Sequence, residues 1–463
     1  MKIIYTILNG KIECEEHSSD IDFGLVFEQD GVINIETYIT DKSFFEKTEK
    51  SNNYYKIIGI TEKGYDIICS HLFCNSYSYE NCKGKFTCNS KITVIDNKEP
   101  EKYKEDDQPL DKSIFFAELE GLNTKFANHT SIQKHRGTQK IDIFPGFTFD
   151  HTNISFMFNH PDIIGNYYSV VLIENPENNN IIIDFRNKEG YCRFSNFIYE
   201  TMRNELLSFL SFINGASVRL RKELKGYYYS DKGNNIFDSQ EVILYSFKQE
   251  KENNQNDYFP INDHHSYSSE IFSKMFLQGF DKFYQLNKLL DFQSLIFSLN
   301  NTNTNGLNER YYILITALER VCKNYTENSS NSKHLIDENI YQTMIKPRFK
   351  EFFNTLKKEV VIKDKSAWKI YSSKLGDLNR RNNKDTKQKI YSFLEYSNIN
   401  LNKSVINLIE IERNDAVHEG IIGRNDEEEI NNYLKLDHIL RDCIANLIEY
   451  NGIRKRKFDY TKE

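Results

Sequence analysis

No apolar run in this sequence is long enough to cross a membrane. The longest, at residues 3–8 and 170–173, fall far short of the roughly 18 residues a helix needs to span hydrocarbon. The N-terminus also lacks a cleavable secretory pattern, so a cytoplasmic chain without membrane contact is expected. Cysteine is sparse, eight residues in 463. Without an export signal a disulfide framework is not expected, and the thiols should be reduced. An excess of positive charge is missing as well. The formal net charge is -7 and the pI near 6.0, so the molecule as a whole carries no field that attracts nucleic acid, and any such site has to be local. A Gly-rich phosphate loop, a nucleophile elbow, a paired metal-binding His motif and an internal repeat are absent too, and no cofactor is expected.

What the chain has in quantity is aromatic and apolar surface. Hydrophobic residues are 39% of the sequence, with 33 Phe and 29 Tyr, enough to offset chain entropy although the mean hydropathy is -0.62. The length predicts two or three domains rather than one.

Hydrophobic periodicity divides the chain in two. Short alternating or β-branched stretches at residues 2–8, 24–28, 32–39, 54–60, 65–69 and 91–94 read as strands, with Asn9-Gly10 and Asp30-Gly31 as hairpin-grade turns. Further strands are expected at residues 142–147, 154–158, 168–172 and 181–184, giving an antiparallel sandwich or barrel. Phe197, Ile198, Met202, Leu206, Leu210 and Ile213 then recur at helical spacing until Gly215, a helix that closes the β domain, with strands at 219–229 and 241–247 to follow. Residues 248–257 are charged and Asn-rich and mark a linker. Beyond residue 266, segments 269–290, 292–299, 307–324, 336–361, 387–397, 404–418 and 427–453 carry apolar residues three and four apart, a helical bundle. The expected class is α+β: an antiparallel β-rich domain over residues 1–247, a linker over 248–265 and an all-α bundle over 266–463.

One segment of the bundle invites chemistry. Arg413-Asn414-Asp415-Ala416-Val417-His418 places a guanidinium, an amide and an imidazole near a helix end. As a bare pattern it is weak, since chance supplies about 0.4 Arg-x4-His pairs in this composition. Five residues of straight helix turn about 500°, leaving Arg413 and His418 about 140° apart, so one helix face cannot offer both. Either Gly420 and Gly423 stop the helix and set His418 at or beyond its last turn, or two copies of the helix each offer one edge to a shared cleft. An Arg, a His and an amide without a carboxylate cluster suit metal-free RNA cleavage. The imidazole moves a proton at the 2′-hydroxyl or the leaving oxygen, and the always-cationic Arg binds the phosphorane oxygens. The bland alternative is structural: Arg413 pairs with Glu410 or Asp415, and His418 caps carbonyls at the helix end.

The same run resembles the Arg-polar-x3-His motif of HEPN domains. Residues 308–319, Asn-Glu-Arg-Tyr-Tyr-Ile-Leu-Ile-Thr-Ala-Leu-Glu, are similar to an early helix of the ApeA-type branch, and residues 22–27, 57–61 and 115–122 resemble the β domain that precedes HEPN in those antiphage proteins. The resemblance implies an abortive-infection effector: a toxic, metal-independent endoribonuclease that often builds its active site from two protomers. It assigns Arg413 and His418 as the catalytic pair and Asn414 as the polar residue that orients them. It further implies an RNA substrate, with tRNA a candidate, a homo-oligomer, and a phage-derived trigger acting on the β domain. The alternative from another class is a non-catalytic HEPN protein that dimerises and binds a ligand through its β domain.

Three other features bear on this reading. Residues 346–389 hold 14 Lys or Arg against 5 Asp or Glu, a density that can track a phosphate backbone, with Lys369, Lys374, Arg380 and Arg381 as candidate RNA contacts and Trp368 and Tyr371 for stacking; a solvated helix face explains it equally. Glu319, beside the core stripe of its helix, can anchor Arg413 or pair with Lys323 four residues on. Cys69, Cys74, Cys82 and Cys88 cluster within twenty residues, but their spacing lacks the knuckles of zinc ribbons, so free thiols are expected. His264-His265 reads as solvated loop, and Arg454-Lys455-Arg456-Lys457 as a complement to a helix C-terminus.

Overall fold

Alternation is most regular in the first hundred residues, and there it builds a barrel. The structure is a computed structural model that describes residues 2–48, 54–78, 80–97, 112–122, 154–159, 167–174, 181–186, 196–231, 234–246, 258–259, 267–300, 306–329, 333–363, 382–418, 420, 423 and 425–455. Along Val32–Ile39 (β3) and Tyr55–Thr61 (β4) every second side chain is buried, as in any strand with one face on a core. With Lys2–Cys14 (β1), His17–Gln29 (β2), Asp66–Ser78 (β5) and Lys83–Cys88 (β6) they run antiparallel in the order β4-β1-β2-β3-β6-β5, and β5 pairs back onto β4. The ring closes, which removes the exposed edges an open sheet would offer to other chains. Ile7, Ile12, Val26, Ile35, Ile57, Ile67 and Phe86 are all fully buried within it, and a short helix, Phe44–Thr48 (α1), adds Phe44 and Phe45 to the same core.

The two expected hairpin turns part ways. Asp30-Gly31 joins β2 to β3 with φ of 53° and 76°, the doubly positive pair a type I′ turn needs. At Asn9-Gly10 there is no turn: β1 runs straight through, because Gly10 lies opposite Gly59 of β4. A Cβ on Gly10 would stand 2.5 Å from the Ile58 carbonyl oxygen, so glycine here serves the close approach of two backbones.

β5 also pairs with Lys91–Asn97 (β7), the first strand of an antiparallel extension. It continues through Asn234–Tyr245 (β13), Arg219–Asp231 (β12), Lys112–Glu120 (β8), Ile181–Arg186 (β11), Tyr167–Glu174 (β10) and Ile154–Asn159 (β9). The helix Asn196–Asn214 (α2) therefore does not close the β region. The hairpin after it returns to the middle of the sheet, between β7 and β8. α2 is fixed to the extension by Tyr199, whose ring stacks on Phe115 at 4.2 Å, and by the buried carboxylate of Glu223 on β12. The strand expected at 142–147 lies outside the described residues.

The chain forms two compact units, Met1–Asn256 with Ile261–Glu270, and Asp257–Pro260 with Ile271–Glu463. In the second unit the helices follow the apolar periodicity: Tyr267–Leu290 (α3), Phe292–Asn300 (α4), Leu307–Asn328 (α5), Glu338–Ile340 (α6), a π turn Tyr341–Ile345 (π1), Lys346–Lys363 (α7), Thr386–Tyr396 (α8), Lys403–Asn407 (α9), a second π turn Leu408–Glu412 (π2), Arg413–His418 (α10) and Asp426–Leu447 (α11). Starts are set locally. Asp385 and Gln388 form a reciprocal capping box at α8, and Asn402 and Asn425 cap α9 and α11. α5 is central: Tyr311, Leu314, Ile315 and Leu318 are fully buried, and it packs against α4, α8, α10 and α11.

The expected linker is not a plain polar spacer. Tyr258 and Phe259, inside it, are only 1% and 2% exposed and belong to the helical unit. Tyr258 donates its hydroxyl to Asp442, its carbonyl accepts from the Lys455 N–H at 2.7 Å, and Phe259 meets the Tyr450 ring edge-on at 5.6 Å. An aromatic pair surrounded by charged and Asn-rich sequence has no periodicity to show that it is seated in a core. Truncating either ring should cost the helical unit about 3–5 kcal/mol. Denaturant titration of Tyr258→Ala and Phe259→Ala checks this, and midpoints equal to wild type would contradict the anchoring role.

Candidate active site

The residues around Arg413 are positioned by a local irregularity. From Lys403 the chain is helical, but between Leu408 and Glu412 it widens into π2 before resuming as α10 at Arg413. A π turn adds a residue to one turn and so rotates everything after it; such turns are frequent at functional sites. Leu408 and Ile409 in π2 are buried, and the Leu408 carbonyl accepts from the Tyr311 hydroxyl of α5 at 3.4 Å. Burial pushes the Tyr311 phenol far above its ordinary range.

Glu410 and Glu412 fasten the turn on either side. The Glu410 carboxylate accepts from the Tyr391 hydroxyl of α8 at 2.6 Å and pairs with Lys387. The hydrogen bond from Lys387, then that from Tyr391, holds the Glu410 carboxyl below the usual range, while burial, and then the bond to Glu410, pushes the Tyr391 phenol up. Glu412 accepts from the Gly423 N–H at 2.9 Å. Gly423 has φ of 77°, and a Cβ there would stand 2.8 Å from the Glu429 nitrogen, so this return loop requires glycine.

Arg413 points at α5. Its Nε and Nη2 both donate to Glu319 Oε1, at 2.7 and 2.5 Å, and its Nη1 donates to Asn414 Oδ1 at 2.9 Å. Asn414 in turn donates from Nδ2 to the Glu410 carbonyl at 2.9 Å. Carboxylate, guanidinium, amide and main chain form one connected line across elements 94 residues apart in sequence. The Arg413 side chain is 16% exposed. Of its five N–H donors these contacts take three, leaving one on each Nη nitrogen for an anion. Neither Glu410 nor Asp415 is the partner of Arg413, and Lys323 pairs with Glu327 at 3.9 Å rather than with Glu319.

His418 is the last residue of α10, and Gly420 follows two residues on with φ of 70°. Between Arg413 and His418 the helix is regular, so the angle of about 140° between the two positions stands. The irregularities lie before Arg413, in π2, and after His418, at the glycine stop.

Sequence reasoning named Arg413, Asn414, His418 and Glu319 but missed Tyr311, Lys387, Tyr391, Glu410 and Glu412 as supports, since nothing local marks a hydroxyl on α5 or α8 as facing a carbonyl or carboxylate on π2. Lys369, Lys374, Arg380 and Arg381, with Trp368 and Tyr371, lie outside the described residues, as do His264, His265, Arg456 and Lys457. Arg454 donates to Asp442 and Asn446 at 2.5 and 2.8 Å, a structural role on the final helix. A cleft of about 220 Å³ between α4 and α5 is lined by Ser294, Ser298, Tyr312, Thr316 and Arg320 and does not include Arg413. Cys69 and Cys88 are buried in the barrel core, with Cys74 and Cys82 packed against it; none of the four is in a disulfide, and burial pushes the Cys69 and Cys88 thiols up. No group of three or more His, Cys, Asp or Glu among the described residues is arranged to hold a metal ion. No helix among them is long and apolar enough to cross a membrane.

Comparison with protein-family models, with curated proteins and with solved structures finds no match.

Proposed function

We propose that the helical unit is a metal-independent endoribonuclease of the HEPN type, acting in a cytoplasm as the toxic effector of an antiphage abortive-infection response, with the β unit as its sensor. The observation that carries this reading is the posture of Arg413: a cation on the helix that ends at His418, held by Glu319 and Asn414 with two N–H donors to spare. That arrangement suits a phosphodiester. The His418 imidazole takes the proton of a ribose 2′-hydroxyl as its oxygen attacks phosphorus. The bond to the 5′-oxygen breaks, a proton returns to that oxygen, and the products are a 2′,3′-cyclic phosphate and a 5′-hydroxyl. Arg413 stabilises the charge that develops on the non-bridging oxygens. Because Arg413 and His418 stand about 140° apart on one regular helix, the cleft is completed by a second copy of the chain in a homo-oligomer.

The test is incubation of purified protein with total RNA in EDTA, followed by mapping of the ends. Fragments with 5′-hydroxyl ends are expected. Intact RNA, together with harmless induction in cells, would sink the reading and leave a non-catalytic interaction protein.

Glu319 serves here as a positioning residue. Replacing it with Ala should slow cleavage about 10- to 100-fold by loosening Arg413, whereas Glu319→Gln, whose amide oxygen still accepts from Nε, should keep most of the activity. Initial rates on a labelled oligonucleotide distinguish the two, and equal loss in both variants would show that charge rather than position matters.

A further inference from the structure

α7 differs from the other long helices of the helical unit in having no buried side chain between Lys346 and Lys358. Yet this stretch carries Phe349, Phe352, Phe353 and Leu356, with Phe349 and Phe352 42% and 59% exposed. At 100° per residue these four share an arc of about 100°, and Lys350 and Lys357 fall just beyond Phe353 on one side while Arg348 flanks Phe352 on the other. The Phe349 and Phe353 rings lie near parallel, 20° apart, with centroids 6.3 Å apart. An exposed aromatic arc of this kind is a surface awaiting a partner.

Charge selects the partner. From Lys346 to Lys358 there are five Lys or Arg and a single acid, Glu351, in a chain whose net charge is -7. Arg221, Lys225, Arg413 and Arg441 are all paired with carboxylates. By contrast, Arg348, Lys350, Lys357 and Lys358 have no ion-pair partner among the described residues. A second copy of α7 on this face would bring two cationic rows together and be repelled, although the exposed Leu335, Ile336, Ile340 and Met344 just upstream would favour self-association. A single-stranded nucleic acid answers both features at once: its phosphates match the flanking cations, and its bases stack on the rings irrespective of sequence.

We infer that α7 is a docking surface for single-stranded RNA, in which Phe349 and Phe352 stack bases while Lys350 and Lys357 hold the adjoining phosphates. This deepens the ribonuclease reading and rests on it for the identity of the strand as RNA. Binding can be measured on the full chain by fluorescence anisotropy with a labelled 2′-O-methyl RNA 15-mer, which cannot be cut through its 2′-oxygen. Phe349→Leu with Phe352→Leu keeps the apolar bulk and removes the rings; it should weaken binding about tenfold or more. Lys350→Gln with Lys357→Gln should weaken it too, and should lower the slope of log affinity against log salt by about 1.4. All four residues are at the surface, so circular dichroism and melting should match wild type.

Unchanged affinity and salt slope in both variants, or no binding by wild type, overturns the docking surface. So does a Phe variant that only dissociates an oligomer seen by light scattering, which makes a second copy the occupant, or one that only releases the protein from anionic vesicles. Cleavage of unmodified RNA is scored separately. Binding that depends on α7 without cleavage would sink the ribonuclease reading alone, and cleavage without dependence on α7 would sink the docking surface alone.

Discussion

Arg413→Ala and His418→Ala should each reduce RNA cleavage by at least about 100-fold, and each should abolish toxicity on expression, with the fold unchanged. The size follows from the chemistry: a positioned general base contributes about 10²–10⁴-fold, and one charge aimed at a developing oxyanion about 10²–10³-fold. The fold should survive loss of the Arg413 side chain, which is 16% exposed and no part of the apolar core. Removing Arg413 strips Glu319 of its partner, but that carboxylate is 33% exposed, so water replaces the lost contact at a cost of about 1 kcal/mol or less. Asn414→Ala should do less harm, since Glu319 still holds the guanidinium through Nε and Nη2. The double variant should be no worse than the worse single one, as groups that act in one step lose activity together. Rates from a quenched-fluorophore RNA, alongside melting curves, decide it. Retention of wild-type rates in both single variants would remove the catalytic assignment.

The second large effect belongs to the β unit and concerns stability. Glu223 on β12 is fully buried and accepts from the Tyr199 hydroxyl and from Arg203 Nη1, both at 2.5 Å and both on α2, and from the Tyr245 hydroxyl on β13. One carboxylate thus ties a helix to two strands. Burial, and then the negative charge of Glu223, pushes both phenols well above their ordinary range, so they stay protonated as donors. Glu223→Ala would leave the Arg203 guanidinium, 10% exposed, without its counter-charge and take the carboxylate acceptor from the Tyr199 and Tyr245 hydroxyls. Breaking a buried pair in this way costs about 3–5 kcal/mol. For a unit of this size that is a drop in melting temperature on the order of 10 °C. Glu223→Gln should fall between, keeping an acceptor but not the charge. Calorimetry on the full chain checks this, and a melting profile of Glu223→Ala equal to wild type would show that the network contributes little.

Local features were legible before any fold was known. The change from two-residue to three- and four-residue periodicity separates the β and helical units, because side chains alternate along a strand and recur every 3.6 residues along a helix whatever they pack against. Asp30-Gly31 could be read as a turn because positive φ at both positions is a property of the dipeptide itself. Gly420 could likewise be read as the end of the helix bearing His418. Asn9-Gly10 carries the same local signal and misleads, since its meaning depends on Gly59, about fifty residues away across the ladder.

Everything that depends on which distant segments meet was decided by tertiary structure. The pairing of β4 with β5 that closes the barrel, the return of β12 and β13 to the middle of the sheet, and the seating of Tyr258 and Phe259 in the helical core leave no trace in local periodicity. Burial and hydrogen bonding reward them only once the chain has closed on itself. The same holds at the candidate site. The residues Arg413, Asn414 and His418 stand in plain view as a short run, but that Glu319 rather than Glu410 or Asp415 holds Arg413 follows from the extra residue of π2, which turns the guanidinium toward α5 and leaves Glu410 to Tyr391 and Lys387. A one-residue widening of a helix has no sequence signature, because it is set by what Leu408, Ile409 and Tyr311 must bury.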